Sequence, residues 1–165
     1  MFTLNDLIDI AVKMERNGEA VYQKSLKRVA ARELQSLLRW MAEEEAVHRQ
    51  WFKDRKDKWK SDTGETDLQV MLPDILKEMM GEKSLSLDDV DFSRITSATT
   101  MLATFIEFET DTILFYEFLE AFIEDGQAKQ GLQRIIREEN RHVAKLKEMI
   151  RAIDDQVIPE ETVSF

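Results

Sequence analysis

Apolar residues recur along this chain at alternating steps of three and four, the spacing of the inward face of a bundle helix. Four segments show the pattern: Leu4 to Val29, Leu34 to Trp59, Ala98 to Ile123 and Ala128 to Ile153. Each segment has roughly 25 residues and would span about 40 Å as a helix. The pattern therefore predicts an all-α protein with four long helices.

The connections between these segments predict how the helices are arranged. A short turn near 29–32 makes the first two helices an antiparallel hairpin, and Asp125-Gly126 ends the third helix before the fourth. Residues 61–96 are long enough to cross the whole bundle, beginning with a loop at 61–65 and containing a short helix over 74–80. A single long crossover is a known bundle connection. We therefore expect residues 1–165 to form one antiparallel four-helix bundle with one long crossover between helices 2 and 3.

The ends of the helices carry weaker signals. Thr3, with Asp6 three residues later, has the capping-box spacing of a helix start. Ser97 is the counterpart of Thr3 and is expected to cap the third helix. Residues 156–165 follow the last stripe, and we expect this tail to be loosely held.

Six polar residues interrupt the four apolar stripes. They are Glu15, Glu45, His48, Glu109, Glu139 and His142. The motif Glu-x-x-His therefore occurs twice, 94 residues apart, and it contains the only two histidines of the chain. The same offset relates Glu15 to Glu109 and relates the only two tyrosines, Tyr22 and Tyr116, to each other. The chain is thus interpreted as a duplicated helical hairpin.

The spacing of these residues predicts one shared site. Residues three apart on a helix share a face, and the two acids of each hairpin are 30 residues apart, so all six side chains can meet mid-bundle. Four buried carboxylates would repel one another, and two divalent cations would cancel their charge. Carboxylates and imidazoles without thiolates suit iron or manganese, with zinc possible. We expect Glu15 and Glu109 to bridge the two cations, and one Glu-His pair to supply the remaining protein ligands of each cation. The alternative is that all six polar residues have a structural role only.

Other residues near the motifs have more than one interpretation. Five nearby acids lie off the stripes and are expected to be solvated, with a role beside the ligands or at the entry to the site as the alternative: Glu19, Glu43, Glu44, Glu107 and Glu138. Tyr22 and Tyr116 could hydrogen-bond a ligand carboxylate across the bundle, relay single electrons, or only fill the core. Gly18 faces the core, where it leaves space for a small oxidant or allows a close helix contact.

Composition narrows the function classes. The chain has 165 residues, a formal net charge of −10 and no cysteine. It therefore has no disulfide, thiolate site or iron–sulfur cluster, and its acidity argues against binding nucleic acid or an anionic membrane. We find no signal peptide at the start and no apolar run long enough to span a membrane. These observations predict a cytoplasmic protein.

The paired motifs resemble those of the ferritin-like di-iron carboxylate superfamily, in which two helices give a Glu each and two give Glu-x-x-His. The segments Met14-Glu15-Arg16 with Val21-Tyr22, and Phe108-Glu109-Thr110 through Phe115-Tyr116, are similar to the rubrerythrin branch. The resemblance covers about 4–60 and 97–150. It implies a ferritin-like bundle with two Fe ions, the six polar stripe residues as ligands, and oxidation of Fe(II) by peroxide or dioxygen.

Two departures from typical rubrerythrins shape this expectation. Without cysteine the chain has no rubredoxin-type iron, so a separate electron-donor protein must supply electrons. The extra carboxylate one turn after the third-helix ligand is replaced by Thr112, which makes the site similar to those of bacterioferritins and other di-iron oxidases. We expect a homodimeric oxidoreductase that reduces hydrogen peroxide or dioxygen in oxidative-stress defence. A ferroxidase of an iron-storage cage and a non-catalytic, metal-stabilised bundle are the alternatives.

Overall fold

The computed structural model describes residues 4–56, 58, 87 and 90–165, and these form the predicted antiparallel four-helix bundle. The helices are α1 (Leu4–Leu26), α2 (Arg32–Lys53), α3 (Ala98–Glu120) and α4 (Gly126–Asp154). A short 3-10 helix, Phe92–Arg94, precedes α3. Within these ranges the only β-type pairing is an isolated bridge between Ser97 and Thr162. None of the described helices has the length and apolarity needed to cross a membrane.

The bundle consists of two hairpins. Helix α1 packs mainly on α2 and helix α3 mainly on α4, and the hairpins meet through α1–α3 and α2–α4 contacts. Of the predicted crossover, the loop at 61–65 and the short helix at 74–80 lie outside the described residues, as does Thr3. This arrangement points the inward stripes of all four helices at one common core.

The helix ends partly follow the predictions. Ser97 caps α3 as expected, because its side chain accepts a hydrogen bond from the Thr100 amide. The prediction that Asp125-Gly126 ends the third helix is wrong. Helix α3 ends at Glu120, and the Asp125 side chain accepts from the Ala128 amide to cap α4. Aspartate is a favoured N-cap residue directly before a helix. Asp125 therefore marks the start of α4 and not the end of α3.

The carboxyl-terminal tail is packed across the ends of both hairpins, so the prediction of a loose tail is wrong. Ile158 and Val163 are buried. The Glu161 carboxylate accepts hydrogen bonds from the amides of Ala30, at 2.7 Å, and Ala31, at 2.5 Å. Ala31 precedes α2 and has no capping side chain of its own. A residue 130 positions away therefore caps this helix.

The apolar core is divided into two clusters. One cluster contains Leu34, Leu38 and Leu102 and extends to the tail. The other contains Leu7, Phe52 and Leu132 and lies towards the opposite end of the helices. The six polar residues of the stripes belong to neither cluster. They form a buried polar layer within the bundle.

Candidate metal centre

The six polar residues of the stripes come together in one layer, and each side chain is at most 2 % exposed. Their ligand atoms fall into two groups of four, and within each group the atoms lie within 4.8 Å of one another. The first group is Glu15, Glu45, His48 and Glu139; the second is Glu45, Glu109, Glu139 and His142. The structure thus places the predicted site residues around two adjacent positions, each with ligand atoms close enough to hold a cation.

Glu45 and Glu139 are the residues that the two groups share. Glu139 lies between the histidines, with one carboxylate oxygen 2.8 Å from Nδ1 of His48 and the other 2.8 Å from Nδ1 of His142. Glu15 and Glu109 each belong to one group only. That these two residues bridge the cations stays a prediction, whereas the metal-free geometry favours Glu45 and Glu139 for the bridging role. The spacing of residues along a helix determines how far along the bundle a carboxylate lies. The rotation of each helix about its own axis determines which carboxylate lies between the two cation positions.

Each histidine is held from outside by an acid of the opposite hairpin. Nε2 of His48 lies 2.9 Å from Glu138, and Nε2 of His142 lies 2.9 Å from Glu44. These contacts leave Nδ1 of both rings directed at the layer. The interpretation of the two acids as solvated is wrong, since both are partly buried against a ring. The sequence does contain a signal for this role. Glu44 and Glu138 each directly precede a site glutamate, so the motif Glu-Glu-x-x-His occurs twice.

Two buried tyrosines donate hydrogen bonds across the bundle. The Tyr22 hydroxyl donates to Glu109, and the Tyr116 hydroxyl donates to Glu15. Each bond joins α1 to α3, so each hairpin supplies a proton donor for the carboxylate of the other. Burial, followed by the charge of the accepting carboxylate, raises the pKa of both tyrosines well above the ordinary value. Both phenols therefore stay protonated and keep donating at neutral pH.

Burial and mutual repulsion raise the pKa of some site carboxyls, whereas the adjacent imidazoles lower the pKa of another. Burial, followed by repulsion from Glu15, Glu139 and Glu109, raises the pKa of Glu45 well above its ordinary range. Burial likewise raises the pKa of Glu109, to about 7. Burial acts in the same sense on Glu139, but the two adjacent imidazoles outweigh it and lower its pKa. The metal-free layer thus depends on protons to reduce its negative charge.

The histidines show the complementary shift. Burial acts to lower the pKa of His48, but the carboxylates of Glu15 and Glu139 raise it to about 11. The pKa of His142 is also raised, because Glu109, Glu139 and Glu44 outweigh burial. Both rings therefore hold protons in the metal-free protein. A cation that binds at Nδ1 must displace them, so metal binding would release protons.

The inner atoms of the layer have no hydrogen-bond partners. They are Glu15 Oε2, Glu45 Oε1, His48 Nδ1, Glu109 Oε2, both Glu139 oxygens and His142 Nδ1. The short approaches of Glu139 to the rings lack hydrogen-bond geometry. Unpartnered buried polar atoms are rare and costly, and an absent ion is one recognised reason for them. Seven such atoms on six converging residues fit a pair of divalent cations.

The two halves of the duplicate differ close to the site. The equivalent of Gly18 is Thr112, which is buried and donates its hydroxyl to the Phe108 carbonyl of its own helix. No carboxylate therefore lies at this position in either half. The Trp40 ring packs edge-on against His142 with centroids 5.0 Å apart. Its equivalent, Arg134, pairs instead with Glu138 at 3.3 Å.

Comparison with known proteins agrees with this geometry. Residues 6–90 match the family model for rubrerythrin, a range that holds Glu15, Glu45 and His48. The fold is similar to the crystal structure of a ferritin-like diiron-carboxylate protein from Thermotoga maritima, with 22 % sequence identity and a TM-score of 0.66. The alignment covers 91 % of this chain and 95 % of that protein. No curated protein matches the chain. The fold and the buried Glu-His layer together support a metal centre.

Proposed function

The chain belongs to the rubrerythrin family, and from this premise we propose that it is a di-iron oxidoreductase that reduces hydrogen peroxide or dioxygen while oxidising Fe(II). The observation that supports the proposal most is the set of seven inner ligand atoms without hydrogen-bond partners. Four carboxylates and two neutral imidazoles would balance the charge of two divalent cations. Oxygen and nitrogen ligands without thiolate suit iron, and manganese or zinc would also fit.

The proposed ligand assignment follows the two groups of the layer. Glu15 and His48 would hold one ion, and Glu109 and His142 the other. The shared residues Glu45 and Glu139 would contact both. This assignment uses all six residues predicted from the sequence, but it moves the bridging role from the carboxylates of α1 and α3 to those of α2 and α4.

A pair of bound iron ions would supply two electrons, which together with two protons would convert one hydrogen peroxide into two waters. The chain's own residues set the conditions for this reaction. The acids Glu138 and Glu44 hold the imidazoles with Nδ1 inward, which orients the rings as ligands. The Tyr22 and Tyr116 hydroxyls donate hydrogen bonds to Glu109 and Glu15 and so fix the orientation of these carboxylates. The apolar clusters on both sides keep bulk water away from the layer.

We propose two further properties that rest on the sequence. A separate electron-donor protein would return the site to its reduced state, because the chain has no cysteine for a rubredoxin-type iron. A homodimer is favoured over a storage cage, since residues 156–165 lie across the helix ends without forming a fifth helix. Light scattering distinguishes the two assemblies, and a cage of many subunits would favour the ferroxidase alternative.

Stopped-flow spectroscopy tests the proposed reaction. Protein loaded anaerobically with two Fe(II) per chain is mixed with hydrogen peroxide or with dioxygen, and iron oxidation is followed by absorbance. We expect oxidation faster than that of free Fe(II) at equal concentration. Glu45→Ala and His142→Ala should lose this reaction together with bound metal. Glu148→Ala is a matched surface control, because this side chain is 67 % exposed and forms an ion pair with Lys145 on the surface of α4.

Two results would contradict the proposal. Oxidation no faster than that of free iron would leave the metals a structural role only. Retention of two ions by both Glu45→Ala and His142→Ala would mean that the ligands are misassigned.

A further inference from the structure

Gly18 occupies an unfavourable place for a glycine. It lies in the interior of α1, on the buried face, one turn after Glu15. Glycine destabilises a helix interior relative to alanine. Helix propensity therefore does not explain a glycine at this position, and its surroundings must explain it.

The space beside Gly18 is filled by a site carboxylate. A Cβ atom added at Gly18 would lie 3.2 Å from Cδ of Glu45 and 3.5 Å from its Cγ. It would also lie 3.2 Å from Cε1 of Phe108. These neighbours are side-chain atoms, so no backbone of a second helix accounts for the glycine. Two of the three contacts are with Glu45, which belongs to both ligand groups.

We propose that Gly18 is a positioning residue, whose missing side chain leaves room for the Glu45 carboxylate to lie between the two cation positions. The inference rests on the proposed metal site. A Cβ atom would force Glu45 to move by a few tenths of an ångström. Metal–ligand distances tolerate deviations of only about 0.2 Å, so this displacement matters more for cation binding than for the metal-free fold.

The other half of the duplicate supports this reading. Thr112 occupies the equivalent place on α3, and its hydroxyl is bonded to its own helix. Hairpin packing of this type therefore accepts a side chain at this position. The equivalent carboxylate, Glu139, is placed differently, because both histidines lie 2.8 Å from it. Glu45 lies 3.6 Å from Nδ1 of His142, farther than either contact of Glu139, so the room beside α1 matters more for its position.

Three glycine-to-alanine variants form a matched test. Gly126 has nothing within 4 Å of an added Cβ, so Gly126→Ala is the neutral control. At Gly131 an added Cβ would clash with the indole of Trp51, which belongs to neither ligand group, so Gly131→Ala is the packing control. Each variant is melted in the metal-free state by circular dichroism and then titrated calorimetrically with Co(II) as the probe.

We expect Gly18→Ala to melt no lower than wild type without metal, because alanine favours the helix. Its Co(II) affinity should fall by about 10- to 100-fold, the range typical of residues that position a ligand. Gly126→Ala should change neither quantity. Gly131→Ala should lower the melting temperature but leave the Co(II) affinity of the folded protein unchanged. This separation of stability from metal affinity is the signature of a positioning role.

Three results would overturn the inference. One is wild-type Co(II) affinity in Gly18→Ala. Another is behaviour of Gly18→Ala like that of Gly131→Ala, which would make Gly18 a packing residue only. The third is recovery of Co(II) binding when Phe108→Leu is added to Gly18→Ala, because the contact with Phe108 would then be responsible. A wild-type protein that binds no Co(II) would instead contradict the proposed site itself.

Discussion

The metal-free protein should lose stability as the pH rises from about 5 to about 8. Folded Glu109 holds its proton up to a pKa of about 7, whereas the ordinary value is 4.5. Between these values the folded state binds more protons than the unfolded state, so the free energy of unfolding falls as the pH increases. Most proteins show no such loss in this range, because their carboxyls are already ionised in both states.

The size of the effect follows from the shift of Glu109. The full difference between the two pKa values corresponds to about 3 kcal/mol, and about 2.5 kcal/mol of it is lost between about pH 5 and pH 8. For a chain of this length that loss lowers the melting temperature by about 5–10 °C. The raised pKa of His48 acts in the same direction above its ordinary value of 6.5, since only the folded state then keeps the proton. The lowered pKa of Glu139 opposes the trend only in more acidic solution.

Thermal melts of chelator-treated protein across this pH range measure the effect by circular dichroism. Glu109→Gln is the matched variant, because its amide imitates the protonated carboxyl and should flatten the pH dependence. Protein loaded with Co(II) should show the opposite slope, as protons compete with the cation for the ligands. A melting temperature of the metal-free protein that rises from about pH 5 to pH 8, or an unchanged slope in Glu109→Gln, would refute the reasoning.

Three further outcomes follow from other contacts. Glu44→Gln should lower Co(II) affinity by about 10- to 100-fold in calorimetry, because His142 loses its charged outer partner; unchanged affinity would deny Glu44 this role. Glu161→Ala should lower the free energy of unfolding in urea by about 1–2 kcal/mol through loss of the α2 cap, whereas no change would mean that water replaces the tail. Tyr116→Phe should cost the metal-free protein about 1–3 kcal/mol in the same assay by leaving Glu15 without its donor. A Tyr116→Phe variant as stable as wild type would show that this hydrogen bond contributes nothing.

The helices and the polar layer could be predicted because their signals are local and repeated. An apolar stripe with period near 3.6 specifies a bundle helix, and a glutamate in place of a stripe residue must point into the core. The equal spacing of Glu15 to Glu45 and of Glu109 to Glu139 fixes a common depth. The capping role of Ser97 is equally local, since its side chain reaches an amide only three residues away.

Apart from the local cap at Asp125, the errors concern contacts that join distant parts of the chain. Glu138 lies about 100° around its helix from the ligand stripe, and its partner His48 is 90 residues away. Glu161 reaches amides 130 residues away, and nothing near it in sequence indicates a target. Glu139 lies between the two histidines because of how its helix is rotated about its axis. The spacing of apolar residues by three and four positions does not fully determine this rotation. Local periodicity thus defines which residues face the core but not which of them touch.

The division of the core explains how the bundle tolerates such a layer. An apolar side chain buried at each of these positions would stabilise the fold by about 1.5–3 kcal/mol, whereas unpaired buried charges are costly. The two apolar clusters are separate, so each can pack without the polar residues between them. A cation that binds only the folded state adds stability in proportion to the logarithm of its concentration over its dissociation constant. The six polar residues that destabilise the metal-free bundle are therefore the residues through which bound metal would stabilise it. Because they come from all four helices and lie in one layer, bound metal would link all four helices.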